Sequence, residues 1–89
     1  MLKVTQTRNF LRDLKLAHKR GLKIDKLHKI VDELSNGKPL ERKHHPHPLK
    51  GKWKPNWECH IEPDWLLIYE VTAEEVMLVR TGTHADLFD

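Results

Sequence analysis

The sequence predicts an α+β protein in which one twisted antiparallel sheet carries an αα-hairpin on one face, in the order β-α-α-β-β-β. Between residues 7 and 36, apolar residues recur every three or four positions, which is typical of amphipathic helices. Between residues 57 and 81, they alternate with polar residues or form short runs, which is typical of strands. The length of 89 residues is enough for one core, so we expect a single domain over residues 1–89.

The first third of the chain predicts a short strand and then two helices. Residues 1–5 alternate between apolar and polar side chains, as in a strand. Thr7 is a favourable N-cap for the first helix, and Gly21 can end it in the left-handed conformation. Asn36-Gly37 ends the second helix. The predicted apolar stripes consist of Phe10, Leu11, Leu14 and Ala17 in the first helix and of Ile24, Leu27, Ile30, Val31 and Leu34 in the second.

Residues 38–56 contain four of the five prolines and predict a loop or an irregular edge strand. Three strands with short turns follow, which predicts an antiparallel meander. Their core positions are expected to be Trp57, Cys59 and Ile61 in the first strand, Trp65 to Tyr69 in the second and Val76 to Val79 in the third. Cys59 is expected to be a packed, inert thiol, since its neighbours at alternating positions are apolar.

Charge is divided unevenly along the chain. Residues 3–54 hold fifteen lysines and arginines against five acids, a net charge of +10, whereas the remainder has one arginine and eight acids, a net charge of −7. A cationic half suits a polyanion, and RNA is the expected one. No apolar run approaches the roughly 20 residues of a membrane span, and the N-terminus lacks an apolar leader. We therefore expect a cytoplasmic protein without a membrane partner, and the single cysteine fits a reducing compartment.

Strand pairing predicts where distant residues meet. If residues 72–75 form a turn, residues whose numbers sum to about 147 face each other, which places residue 82 opposite Trp65. His84 then lies near Asp64, and the turn at residues 62–64 places His60 beside Asp64. Arg80 is expected nearby, although a register shift of one residue would send Arg80 and His60 to opposite faces.

Two imidazoles, a carboxylate and a guanidinium at one place suit cleavage of RNA without a metal. The ribose 2′-hydroxyl must lose a proton and the leaving 5′-oxygen must gain one, and histidine serves both transfers. An aspartate selects the tautomer of a histidine, and an arginine neutralises the phosphate. A surface role for most of the seven histidines is the alternative interpretation of the same residues.

Three sequence blocks carry a resemblance to a known family. They are His47-Pro-Leu-Lys-Gly-Lys-Trp53, His60-Ile-Glu-Pro-Asp-Trp-Leu-Leu-Ile-Tyr69 and Arg80-Thr-Gly-Thr-His-Ala-Asp-Leu-Phe88. In this order they closely resemble the YafQ branch of the RelE/ParE superfamily of toxins. The resemblance implies a RelE-like, microbial-RNase-like fold and cleavage of mRNA in the ribosomal A site through 2′-hydroxyl attack. It also implies a co-encoded antitoxin, through which alone the toxin would contact operator DNA.

The resemblance also implies roles for individual residues. His84 would be the general acid, His47 or His60 the general base, and Phe88 would stack on or position a nucleotide. The full expected set is His47, His60, Asp64 and His84 for catalysis and Arg80, Phe88, Lys50, Lys52 and Lys54 for substrate binding. Trp57 stands where related toxins often have an arginine, and Pro46 where an aspartate is common, so phosphate neutralisation would fall on Arg80 and the nearby lysines.

Two other interpretations remain open from the sequence. His44-His45-Pro46-His47 has the residue type of a metal site, but the lone cysteine and the intervening proline count against one, and we expect no metal or other cofactor. A non-catalytic binding module of the same fold, either RNA-binding or directed at gyrase, is the alternative function. The histidine set at positions 47, 60 and 84 favours the nuclease.

Overall fold

In the computed structural model, which describes residues 1–88, two 3₁₀ turns at Arg42–His44 and Gly51–Trp53 accompany the strands and helices. The strands and helices are, in chain order, β1 (Lys3–Gln6), α1 (Arg8–Lys19), α2 (Ile24–Ser35), β2 (His47–Pro48), β3 (Trp57–Glu62), β4 (Trp65–Val71), β5 (Glu75–Gly82) and α3 (His84–Phe88). The predicted α+β class is confirmed, and β2 and α3 extend the predicted β-α-α-β-β-β order. None of these helices has the length and apolar character needed to cross a bilayer.

All five strands belong to one sheet, in the order β1-β5-β4-β3-β2. Strands β3, β4 and β5 pair antiparallel in chain order, as predicted, and the short strand β2 pairs antiparallel with β3. The edge strand β1 instead runs parallel to β5, with Val4 opposite Val76. An alternating edge strand has the same residue pattern in either orientation, so the parallel pairing was not predictable from that pattern.

Helices α1 and α2 cover one face of the sheet and enclose the main core. Thr7 caps α1 as predicted, since its Oγ1 accepts a hydrogen bond from the backbone N–H of Phe10 (3.0 Å). Gly21 and Gly37 follow the two helices with φ values of +74° and +70°, which glycine adopts without steric cost. Leu11 is exposed rather than packed on the stripe. The buried core residues are Phe10, Ala17, Leu27, Ile30, Cys59, Ile61, Trp65, Leu67, Tyr69, Val76 and Leu78.

The other face of the sheet, here called the site face, carries a second and smaller core. Because side chains alternate along a strand, Leu66 and Ile68 of β4 point away from the main core that contains Leu67 and Tyr69. Leu66 and Ile68 pack with Leu87 of α3. Three partly buried residues, Leu49, Trp53 and Val79, complete this cluster. The proline-rich segment and α3 therefore cover the site face.

Two β-bulges change the register that the turns alone predict. Between β4 and β5, residue numbers sum to 147 near the turn, from Val71 opposite Val76 to Tyr69 opposite Leu78. The sum becomes 148 beyond a bulge, so that Gly82 lies opposite Leu66 rather than Trp65. A second bulge separates the pairs formed by His60 and Glu62 of β3. A bulge adds one unpaired residue to a strand, which shifts every later side chain by one position.

The first two residues of β3 differ from the prediction. The core position predicted for Trp57 is wrong: its side chain is 41% exposed, because the helical layer that covers Cys59 and Ile61 does not extend to the start of the strand. Its neighbour Glu58 is only 5% exposed. Glu58 lies on the site face, directly opposite His47 of β2, and the covering segment removes it from water.

Candidate active site

His84 and Asp64 form a hydrogen-bonded pair at the end of the sheet. Asp64 Oδ1 accepts one hydrogen bond from the backbone N–H of His84 (2.9 Å) and another from its imidazole Nδ1 (2.6 Å). These donors, the backbone N–H first, lower the pKa of Asp64 below its usual value, so the group stays a carboxylate. With Nδ1 donating to Asp64, Nε2 of His84 is directed elsewhere and is available for proton transfer.

Helix α3, which begins at His84, is held in place by local capping. The backbone N–H of Thr83 donates to Asp86 Oδ2 (3.0 Å), and that of Asp86 donates to Thr83 Oγ1 (3.1 Å). This reciprocal arrangement is a capping box, with an aspartate in place of the usual glutamate. Gly82 is required beside it, because a Cβ atom at that position would lie 2.9 Å from Asp86 Oδ2.

An ion pair joins α3 to Arg20, the C-cap residue of α1. Arg20 Nη1 and Nη2 donate to the two carboxylate oxygens of Asp86 at 2.7 and 3.3 Å. These hydrogen bonds and those from Thr83 lower the pKa of Asp86 to about 2. The orientation of His84 and Phe88, which lie at the two ends of α3, therefore depends in part on the residue that follows the first helix.

A buried carboxylate lies between two other histidines. Glu58 Oε1 is 3.3 Å from His47 Nε2 and 3.6 Å from His60 Nε2. The Nδ1 atoms of both rings donate to backbone carbonyls, that of His47 to His45 (2.8 Å) and that of His60 to Pro63 (3.2 Å). A hydrogen bond across either gap to Glu58 then requires a proton on Nε2 or on the carboxyl oxygen. Three side chains that can exchange protons are therefore gathered at one position, which is the arrangement that a general base requires.

His60 links the cluster that it forms with Glu58 and His47 to the His84–Asp64 pair. Its ring centroid is 5.7 Å from that of His84 and 6.5 Å from that of His47. Phe88 lies beside His84, at 6.5 Å between centroids, and meets the ring of Trp53 edge-on at 5.6 Å. The structure thus brings together four of the residues expected from the sequence to act in catalysis, His47, His60, Asp64 and His84, with Phe88 next to them.

Arg80, expected from the sequence to lie beside the histidines, forms an ion pair with a carboxylate of α1. Its Nε and Nη2 donate to the carboxylate of Asp13 in α1 at 2.6 and 3.1 Å. These hydrogen bonds raise the pKa of Arg80, whose charge is already compensated by Asp13. The same carboxylate accepts a hydrogen bond from the backbone N–H of Thr81 (3.1 Å), so Asp13 links α1 to β5. The expected lysines, Lys50, Lys52 and Lys54, are exposed on the segment that carries Trp53.

Glu58 is the site residue that the sequence analysis missed. Period-two alternation assigned it to an exposed face together with His60, and only the pairing of β2 with β3 shows that this face is covered. Its position two residues before His60 on the same side of the strand was the available signal.

Cys59 is fully buried, and burial raises its pKa to about 12, which keeps it a neutral thiol. Within residues 1–88, no three histidine, cysteine, aspartate or glutamate side chains are gathered as metal ligands.

An αα-hairpin on one face of a five-stranded sheet, with an imidazole–carboxylate cluster on the other, matches the architecture expected from the resemblance to toxins of the RelE/ParE type. A family model described as "Bacterial toxin of type II toxin-antitoxin system, YafQ" matches residues 2–89. The chain therefore belongs to the YafQ family of type II toxins, which confirms the resemblance seen in the three sequence blocks.

Individual relatives support the same assignment. The mRNA interferase toxin YafQ of Escherichia coli K12 is 44% identical over 80 residues, which span 89% of this chain and 87% of that one. The E. coli DinJ-YafQ toxin-antitoxin complex contains a chain 39% identical with a TM-score of 0.92, covering 99% of this chain and 98% of that one. A metal-bound toxin from Helicobacter pylori is 40% identical with a TM-score of 0.93, covering 99% of this chain and 100% of that one.

Proposed function

We propose that this chain is the toxin of a type II toxin–antitoxin pair and an endoribonuclease that cleaves mRNA in the ribosomal A site. The observation that carries the proposal is the meeting of the His84–Asp64 pair with the His47, His60 and Glu58 cluster at one end of the sheet. The E. coli relative is named an mRNA interferase. Acid and base groups on either side of a phosphate are what cleavage through the 2′-hydroxyl needs.

The proposed reaction is an in-line displacement at phosphorus. His60 or His47, with Glu58 beside both rings, accepts the proton of the ribose 2′-hydroxyl, and the 2′-oxygen attacks the phosphate. The bond from phosphorus to the 5′-oxygen breaks, and His84 Nε2 donates a proton to the leaving oxygen. Asp64 holds the opposite nitrogen of His84 in its protonated form throughout. The products are a 2′,3′-cyclic phosphate and a 5′-hydroxyl.

Substrate contacts are assigned to the segment beside α3. The charges of Arg80, Lys50, Lys52 and Lys54 neutralise the RNA backbone, and Asp13 holds the guanidinium of Arg80 in position. Arg80 supports the site by holding β5 against α1. Phe88, 41% exposed and edge-on to Trp53, offers its ring to a base.

The proposed partners follow from the family. The related toxin in the DinJ-YafQ complex is bound to its antitoxin, and we expect a co-encoded antitoxin here as well. The ribosome supplies the mRNA, operator DNA is contacted only through the antitoxin, and the setting is the cytoplasm. The reaction needs no metal. An ion bound to the imidazole nitrogens would occupy the atoms that exchange protons, so it would inhibit.

The test uses purified toxin with ribosomes carrying a defined message and an empty A site. We expect cleavage within the A-site codon, products ending in a cyclic or 3′-phosphate, and unchanged rates in EDTA. Ribosome binding should weaken steeply from about 50 to 200 mM salt, because phosphate contacts release counterions. Absence of cleavage together with tight ribosome binding would favour a non-catalytic binding module instead.

A further inference from the structure

A cleft lies next to the catalytic cluster, on the side of His60 away from Phe88. It has a volume of ≈ 650 Å³ and opens between α2, the 3₁₀ turn at Arg42–His44 and the end of β3. That volume falls within the range of about 300–1,000 Å³ that is common for small-molecule sites. We call it the basic cleft, because its ionisable lining consists of one acid, Glu62, and six basic residues, Lys26, Lys29, Lys43, His44, His45 and His60.

The charges of the basic cleft are only partly compensated. Lys26 is paired with Glu62 at 2.8 Å. Lys43 lies 3.7 Å from Glu41, with both side chains more than half exposed, so that pair is weak. Lys29 is exposed and forms no ion pair with another residue between positions 1 and 88. The cleft thus offers positive charge at its edge.

The bottom of the basic cleft is apolar. Ile30 of α2 and Ile61 of β3, both part of the main core, form it. A ligand with a flat apolar part and an anionic part matches this combination, and a nucleotide has both. An acidic side chain would use the lysines but would leave the apolar surface uncovered.

The basic cleft is continuous with the catalytic cluster through histidine rings. His45 meets His60 edge-on at 5.7 Å, and the ring of His60 is also 5.7 Å from that of His84. His45 has a φ of 43°, an uncommon value for a residue with a side chain, and its carbonyl accepts the hydrogen bond from His47. Below it, His44 Nδ1 donates to the carbonyl of His60 at 2.7 Å. The wall between cleft and cluster is therefore built from hydrogen-bonded residues.

We propose that the basic cleft is a second nucleotide subsite, which binds the RNA residue flanking the scissile phosphate on the side opposite Phe88. The inference deepens the proposed function and rests on it. RNA would pass from Phe88 across His84 and His60 into the cleft, where Lys29 and Lys43 bind its phosphate. Binding on both sides of the scissile bond holds the reacting atoms in line.

The test measures binding of 2′-O-methyl RNA, which cannot be cleaved, to the purified chain. A dinucleotide and a tetranucleotide are compared by fluorescence anisotropy between about 50 and 200 mM salt. The wild type should bind the tetranucleotide more tightly than the dinucleotide, and Lys29→Ala/Lys43→Ala should lose that gain. The slope of log affinity against log salt should fall by about 0.7 in this variant, since the loss of one phosphate contact on a single strand removes ~0.7.

The matched control is Lys15→Ala/Lys19→Ala, which removes the same charge from exposed positions on α1. This control should still bind the tetranucleotide more tightly than the dinucleotide, with the same slope of log affinity against log salt as the wild type. Equal losses in both double variants, or no gain in the wild type, would overturn the subsite. Unchanged RNA binding with weakened antitoxin binding would overturn it in favour of an acidic antitoxin segment. Failure of ribosomal cleavage with these binding results intact would refute the nuclease and leave the subsite standing.

Discussion

Asp64 holds His84 twice through a single oxygen, once at the backbone N–H (2.9 Å) and once at the imidazole Nδ1 (2.6 Å). The first contact fixes where α3 begins, and the second decides which nitrogen of the ring carries the proton. One carboxylate therefore both positions the start of α3 and orients the proton on the His84 ring, and substitutions of Asp64 can distinguish its structural role from its chemical role.

Asp64→Asn should separate them. The amide oxygen can still accept from the backbone N–H, so α3 should persist, but the charge that stabilises a protonated His84 is lost. We expect the single-turnover cleavage rate to fall by about 10²–10⁴ while the circular dichroism spectrum and the unfolding midpoint change little. Asp64→Ala removes both hydrogen bonds and should lower the rate and also the stability. A fully active Asp64→Asn would exclude a role for the negative charge of Asp64 in stabilising protonated His84.

Removal of the imidazoles should abolish cleavage in a folded protein. His84→Ala, His60→Ala and His47→Ala each delete a group that exchanges or positions a proton, worth about 10²–10⁴ in rate. Growth arrest in cells and cleavage of programmed ribosomes measure the effect. Cys59→Ala is the control, since burial raises the pKa of that thiol to about 12 and makes it unreactive, and the variant should stay toxic. Cleavage by a His47→Ala/His84→Ala variant would contradict the mechanism.

Glu58→Gln tests the carboxylate that both histidines share. Glutamine has the same shape and can remain buried, but it presents an amide N–H where Nε2 of His47 or His60 now meets an oxygen. We expect kcat to fall by about 10–100-fold, less than after loss of an imidazole, with little change in KM. Glu70→Gln, on the neighbouring strand β4, should leave both constants unchanged. A defect in KM alone would indicate a structural role for Glu58.

The Arg20–Asp86 pair should make stability depend on acid pH. The pKa of Asp86 is lowered to about 2, so the stabilisation is fully present above its ordinary pKa and is lost as pH falls through about 2. Asp86→Asn should therefore be less stable than wild type above about pH 4, by about 1 kcal/mol for a partly exposed pair, and the difference should shrink toward pH 2. Urea unfolding across this range measures it. Glu74→Gln, in the β4–β5 turn, should show no such convergence.

The fold was predictable because each element has a period or a stop signal of its own. Thr7 precedes α1 and Gly21 follows it, as expected. The alternation from Cys59 to Ile61 correctly predicted that these two side chains of β3 belong to the main core. The bulge near Ile68 and the two-residue strand β2 depend on contacts between distant segments, so local patterns did not contain them.

The site was predictable to the extent that hairpin pairing determined it. Ladder geometry alone gave the proximity of His60, Asp64 and His84, within the one-residue error that the bulge introduces. His47 was expected only from the family motif, because its position depends on β2. The burial of Glu58 could not be inferred, since a covering proline-rich segment and an exposed surface produce the same alternation.

The separation of the two cores along β4 has a consequence for how such a chain can evolve. Leu67 and Tyr69 pack on the helical side, while Leu66 and Ile68 pack on the site face, so adjacent residues of one strand belong to different cores. Mutations that rebuild the histidine surface leave the larger packing unit intact. A lineage can thus lose its enzymatic activity while keeping a foldable scaffold, and an inactive binding protein is within a few substitutions of a nuclease.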